Sequence, residues 1–469
     1  MFVGLLRGPR SLGLCLVALH GALHGACGLV APPRAGARPA NGVLARASET
    51  FDPLEVASEV ANEATAPASA LGVFGAASLV AGNMVGGGIL AIPTVSSEAG
   101  FLPSSALLFS LWAANVGTGL LLGEVAAGAI RRGDDDVSLR TLSRSALGES
   151  GAALTSALFA STNLLLMGAY VAKGGDTLFG GLAAGADYVA PRVAYAVLMA
   201  GLVAAPAAME RANNALVVAM TAALAALLVV AAPSVDVGAL LQSAPPGPEL
   251  AGALGHAAPV LISALVFQNV VPVIAKGFEG DSAKIREAVV LGSAAPLLAY
   301  VAFTASVLGR SGAAAAPGDL IDAARGLPDD VQAAAAAAFS VFSVAAVTTS
   351  FVGAAVSQSE EIRGCVGKDD DLANAAWTFG PPLALALSGR DVFLPLLSMT
   401  GGIANPFLFG LLPCFLAWRH RYGAPSDTAP DELLPGGRVG VSALGSGAGF
   451  LVLNAGLADA AHAVSHIHL

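Results

Sequence analysis

The chain has 469 residues, of which 55% are hydrophobic and 12% charged, and its mean hydropathy is +0.72. Soluble globular domains carry about 25% charged residues, so a single soluble core is excluded and a bilayer is the solvent this composition fits. The formal net charge of -10 comes from acids scattered over loops, Asp134, Asp135, Asp136, Asp369, Asp370 and Asp371 among them. The basic residues are equally dispersed, which leaves no patch for nucleic acid. Cys15, Cys27, Cys365 and Cys414 show neither metal-ligand spacing nor a disulfide framework, so no metal or redox chemistry is expected of them.

Residues 1–48 contain no Asp or Glu, begin with Arg7 and Arg10, run apolar over 12–30, and then carry Arg34, Arg38 and Arg46 among Ala, Pro and Gly. An apolar core followed by an acid-free, Arg-bearing stretch reads as a targeting presequence. It resembles the bipartite signal-plus-transit segment of algae with secondary plastids and sets the expectation of a plastid (chloroplast) envelope protein. A plain signal peptide or a single anchor helix would share the first half. Residues 49–70 read as a polar linker.

The remaining apolar runs are long and do not alternate, which selects helices over strands. They predict an all-α integral membrane domain over 71–457, with a short tail at 458–469. Eleven spans are expected, near 71–95, 101–130, 151–181, 189–209, 212–233, 252–277, 285–309, 330–357, 372–388, 391–417 and 437–457. With the mature amino terminus inside, the inner loops and span ends hold thirteen basic residues: Arg131, Arg132, Arg140, Arg144, Arg211, Lys276, Lys284, Arg286, Arg363, Lys368, Arg419, Arg421 and Arg438. The outer loops hold four, Arg192, Arg310, Arg325 and Arg390. Basic residues in short loops stay on the inner side, so this asymmetry fixes the orientation and supports the count.

The first span contains Gly82-Asn83-Met84-Val85-Gly86-Gly87-Gly88 and closes on Pro93. Each Gly costs a helix roughly 1 kcal/mol relative to Ala, so the span is expected to break there. The break would bare main-chain N–H and C=O groups at mid-membrane, where only protein or a polar cavity tolerates them. Half-helix ends suit a zwitterion, with amides for a carboxylate and carbonyls for an ammonium or cation. Small residues packing two helices together are the competing reading. The sixth span repeats the pattern with Phe267-Gln268-Asn269-Val270-Val271-Pro272. Two interrupted helices five spans apart indicate an inverted repeat with a site between its halves. Gln268 and Asn269 are then candidates for hydrogen bonds to a substrate and Phe267 for packing on it, against plain interhelical bonding of the two amides.

These motifs resemble the aromatic amino acid permeases, the tryptophan and tyrosine permease family, with the plant plastid branch most similar. The resemblance spans about residues 71–420. It rests on the first-span glycines, Val271-Pro272-Val273-Ile274, Phe278-Glu279-Gly280-Asp281, Gly292-Ser293-Ala294-Ala295-Pro296-Leu297-Leu298-Ala299-Tyr300, Leu122-Gly123-Glu124-Val125, Thr349-Ser350-Phe351-Val352-Gly353 and Phe379-Gly380-Pro381-Pro382-Leu383-Ala384. It implies a leucine-transporter-type five-plus-five inverted repeat with broken helices one and six. It also implies secondary transport of tyrosine, tryptophan or phenylalanine, with a co-transported proton favoured over sodium. Gln268 stands where that family usually carries histidine, and glutamine hydrogen-bonds without titrating.

Ionisable and polar residues within the spans supply the remaining candidates. Glu124 is either a coupling carboxylate or a cap of the inner interface near Arg131. Lys173 either takes a cation's place, pairs with Asp176, or snorkels outward. Tyr170 is an aromatic lid or an interface tyrosine. Thr348, Thr349 and Ser350 offer hydroxyl oxygens to a sodium ion held against first-span carbonyls, or bond back to their own helix. His256 is structural or handles a proton. The other classes considered are a channel, a binding-only receptor and an intramembrane enzyme. A channel would need a repeated filter, and an enzyme would need a motif such as HExxH, GxSxG or CxxC, none of which is present.

Overall fold

The computed structural model describes residues 72–134, 136–182, 187–241, 245–311, 329–366, 371–423 and 432–465. The expected presequence and linker lie outside the described residues. Among the described residues the helices group in chain order into eleven segments, numbered here as spans. Span 1 is Val73–Met84, a 3-10 turn Gly87–Leu90 and Ile92–Ser96. Spans 2 to 5 are Phe101–Arg131, Leu139–Phe179, Val189–Val203 and Pro206–Ala231. Span 6 is Gly247–Ala264, a turn Gln268–Val270 and Val271–Gly277. Spans 7 to 9 are Ser282–Ser311, Asp329–Val366 and Asp371–Ala386. Span 10 is Phe393–Met399, two π-helical stretches Thr400–Ala404 and Pro406–Leu411, and Leu412–Tyr422; span 11 is Gly437–Ser465.

Three boundaries differ most from expectation, the first being the end of span 8, which runs on to Val366 instead of stopping near 357. The helix holding span 3 starts at Leu139 and turns sharply at Gly148, whose φ of +73° needs a glycine. Its start is fixed by a capping box between Ser138 and Thr141. Span 11 continues to Ser465, so most of the expected tail is helix. By length and composition seven helices can cross a bilayer, and Val73–Met84, Val189–Val203 and Gly437–Leu453 are shorter apolar helices.

The spans pack in pairs that repeat after a shift of five. Span 1 packs on span 7 as span 6 packs on span 2, span 5 on span 8 as span 10 on span 3, and span 3 on span 4 as span 8 on span 9. This recurrence is the five-plus-five repeat. It divides the molecule into a bundle of spans 1, 2, 6 and 7 and a scaffold of spans 3, 4, 8 and 9.

The two sides of the molecule are packed differently. On the outer side Ala91 of span 1, Val260 of span 6 and Leu397 of span 10 form a buried cluster, joined by Leu166 of span 3 and by Phe393. Gly401 brings span 10 against span 6 so closely that a Cβ there would sit 1.7 Å from the Pro259 carbonyl oxygen. On the inner side, span 1 lies against span 7, where a Cβ on Gly292 would meet the Ala77 carbonyl oxygen at 2.4 Å, and the end of span 6 lies against span 2.

Arg192 corrects one sequence expectation. It sits in the first turn of span 4 rather than in an outer loop, and is fully buried. Its guanidinium forms a bidentate pair with Asp176 at 2.9 and 2.6 Å and donates to the carbonyls of Ala386, at the end of span 9, and of Gly389 and Arg390 beyond it. A planar five-donor fork fits this set, which an ammonium does not. Arg192→Lys is therefore expected to lower stability by about 2 kcal/mol or more, read as the thermal midpoint in detergent. An unchanged midpoint would show that the clamp adds nothing.

Candidate functional site

Span 1 stops being helical at Val85, whose ψ of 100° is extended, and the extended backbone continues through Gly86. Three neighbours explain the glycines. A Cβ on Gly86 would lie 1.9 Å from Ser350 Oγ of span 8, one on Gly87 2.8 Å from the Tyr170 ring of span 3, and one on Gly88 3.0 Å from the Ala264 methyl of span 6. The glycines thus bring three other spans onto an unwound main chain. Gly87 N donates to Ser350 Oγ at 3.1 Å.

Just below the break, Gly82 and Asn83 are exposed, Val85 is half-buried and Met84 is buried. Asn83 exchanges amide hydrogen bonds with Asn269 of span 6 at 2.8 and 3.1 Å and donates to the Val266 carbonyl at 3.1 Å. The two breaks are therefore stitched to each other. This is the interhelical reading for Asn269, at a place where its side chain remains half-buried.

Phe267 and Gln268, the candidates for contact with a substrate, lie against span 2. Gln268 is fully buried. Its Nε2 donates to Asn115 Oδ1 at 2.6 Å and Thr118 Oγ1 at 3.2 Å on span 2, while its Oε1 accepts from Phe267 N at 3.0 Å. A buried amide must find partners, and span 2 supplies them. The Phe267 ring is also fully buried and lies against Gly119, where a Cβ would sit 2.8 Å from it.

Tyr170 is buried, with its ring edge over Gly87, which places it at the break. Lys173 is half-buried, with Nζ 5.8 Å from the Phe393 ring centroid. Asp176 forms its bidentate pair with Arg192 rather than with Lys173. In span 8, Thr349 and Ser350 bond back to Ala345 and Ala346, each at 2.9 Å, and Thr348 meets the Tyr195 hydroxyl at 3.2 Å. His256 is largely exposed, 4.0 Å from Glu98.

Glu124 is fully buried at the inner end of span 2, and its bidentate partner at 2.6 Å is Arg421 of span 10 rather than Arg131. It also accepts from Leu433 N at 2.9 Å, and Arg421 donates to the Leu434 carbonyl at 3.0 Å. Beside this pair, Asp281 caps span 7 by accepting from Ala283 N and Lys284 N. The Lys284 amide, chiefly, and its ammonium hold the Asp281 carboxyl below the ordinary aspartate range.

One residue at the breaks carried no individual signal in the sequence. Tyr300 of span 7 is fully buried, and its hydroxyl contacts both the Met84 carbonyl and, at 2.9 Å, the Ala264 carbonyl.

The sequence profile of the tryptophan/tyrosine permease family matches residues 70–450. The chain belongs to that family. Its members are membrane carriers rather than enzymes. Among relatives, tyrosine-specific transport system 2 of Haemophilus influenzae is 29% identical over 75% of this chain and 89% of its own length. Tyrosine-specific transport system 1 of the same organism is 26% identical over 74% and 88%. Among solved structures, MhsT in complex with L-phenylalanine superposes with a TM-score of 0.54 at 16% identity, covering 82% of this chain and 98% of that one. This likeness shows the leucine-transporter-type fold. The permease thus places two broken helices, joined by Asn83 and Asn269, against an aromatic ring and a hydroxyl-bearing helix of the scaffold.

Proposed function

We propose that this permease is a secondary carrier of aromatic amino acids, tyrosine foremost, working by alternating access as a proton symporter in a plastid envelope. The observation that carries the reading is the meeting of both breaks at one place, with exposed Gly82 and Asn83 below and the Tyr170 ring above. Polar main chain at mid-membrane is what a zwitterion requires, and an aromatic ring beside it gives a flat apolar side chain a surface to pack on. The names of the two Haemophilus relatives support tyrosine. The outer cluster of Ala91, Val260 and Leu397 fits a state closed outside and open inside. The acid-free, Arg-bearing residues 1–48 support the plastid destination.

Sodium coupling is the second reading, favoured by Ser350 contacting the span 1 break with Thr349 beside it. Uptake of labelled tyrosine into proteoliposomes separates these readings. The expected result is saturable uptake, accelerated by an inward proton gradient and inhibited by unlabelled tryptophan and phenylalanine. Uptake that never saturates would sink the carrier, and saturable uptake driven by sodium alone would sink the proton.

A further inference from the structure

Both interrupted spans end their first helical half on a carbonyl that has lost its helical partner. Val73–Met84 ends at Met84 and Gly247–Ala264 ends at Ala264. The last carbonyls of a helix are unsatisfied unless something caps them, and they carry the negative end of the helix dipole. Here the two ends run toward each other from opposite sides of the membrane, since span 1 rises from inside and span 6 descends from outside. Like partial charges meeting in a buried place repel unless a donor stands between them.

Tyr300 stands there. Its hydroxyl contacts both carbonyl oxygens, and its ring is fully buried. A phenol has one proton to donate, and a carbonyl has none, so the hydroxyl satisfies one carbonyl at a time while holding both at one separation. Span 7, which carries it, is set firmly against span 1 by the close approach of Gly292 to Ala77. Trp112 of span 2 steadies span 7 through a hydrogen bond to Ser293 at 3.1 Å.

The geometry points to Tyr300 as a positioning residue for transport: its hydroxyl fixes the two half-helix ends relative to each other, so that the broken segments present one constant binding geometry as the bundle moves. This inference rests on the proposed transport function and adds a residue to it. Tyr300 touches no substrate in this account. It acts through the main chain of Met84 and Ala264.

The test compares Tyr300→Phe with the wild type and with Tyr195→Phe, each as full chain in proteoliposomes, measuring KM and maximal rate for labelled tyrosine per folded carrier. Tyr195 is an equally buried tyrosine whose hydroxyl meets the Thr348 side chain rather than a broken end. The expected result is a KM raised tenfold or more in Tyr300→Phe, a maximal rate within about threefold of wild type, and a KM near wild type in Tyr195→Phe. Should Tyr300→Phe fail to fold, Tyr300→His, whose ring can still donate one hydrogen bond, is expected to fold with a KM raised severalfold above wild type. An unchanged KM in Tyr300→Phe or Tyr300→His, or an equal rise in Tyr195→Phe, would overturn the assignment. Wild-type uptake in the same vesicles reports separately on the transport function, because the assignment is read only from variant-to-wild-type ratios.

Discussion

Glu124→Ala is expected to destabilise the folded permease by about 3 kcal/mol or more, because it strands the Arg421 guanidinium without its carboxylate. The two side chains are 0% and 1% exposed. Among the described residues Arg421 would keep the Leu434 carbonyl, Tyr422 and the half-exposed Glu432, 3.3 Å away. Leu433 N, which now donates to Glu124, would lose its acceptor as well. The pair therefore holds together span 2, span 10 and the segment leading into span 11. Glu124→Gln is expected to cost nearly as much, since an amide cannot balance the guanidinium charge. The double variant Glu124→Leu with Arg421→Met should recover much of the loss, as replacing both members of a buried pair by apolar groups often does. Thermal unfolding in detergent of the two single variants and the double variant measures this directly. Single variants that melt with the wild type would show that the pair contributes nothing, and a double variant equal to the sum of the singles would show no coupling between the partners.

Gly401→Ala should abolish most transport while leaving the inner side intact. The Pro259 carbonyl that an added methyl would strike at 1.7 Å is main chain, and the Ser263 hydroxyl lies 2.6 Å away. The carbonyl cannot swing aside as a side chain can, so spans 6 and 10 must separate. Overpacking of this kind costs about 1–3 kcal/mol. The contact lies where span 10 is wound as a π-helix, and Ser263 donates to the Leu397 carbonyl at 3.0 Å to brace the same crossing. Because Leu397 belongs to the outer cluster with Ala91 and Val260, loosening this crossing opens the outer seal. The expected readout is an uptake rate reduced on the order of tenfold per folded carrier. Wild-type uptake by Gly401→Ala would mean that this crossing does not control access.

The breaks in spans 1 and 6 were legible because glycine clusters and prolines oppose a helix wherever they stand, and the repeat followed from their spacing. What the sequence did not carry was the direction in which side chains leave the broken segments. Gln268 looked free to meet a substrate, but the 3-10 turn at Gln268–Val270 aims it at Asn115 and Thr118, 153 and 150 residues earlier. Arg192 looked like an outer-loop charge because its partners, Asp176 and the carbonyls at and just past the end of span 9, come together only in the folded chain. Tyr300 sat within a recognisable motif, yet its contacts to Met84 and Ala264 lie 216 and 36 residues away. The π-helical turns of span 10 had no signature beyond Gly401 and Pro406.

On the proposed function, substrate occupies the place where the two breaks meet. Gly82 offers the most direct test, since it is exposed beside the span 1 break and an added Cβ there would meet nothing within 4 Å. In a background with Cys15, Cys27, Cys365 and Cys414 replaced, Gly82→Cys would be labelled with a membrane-impermeant maleimide applied from the inner side, with and without saturating tyrosine. Labelling from that side is expected, at a rate slowed severalfold by tyrosine. A transport-competent Gly82→Cys protein whose labelling tyrosine leaves unchanged would contradict this placement of the substrate.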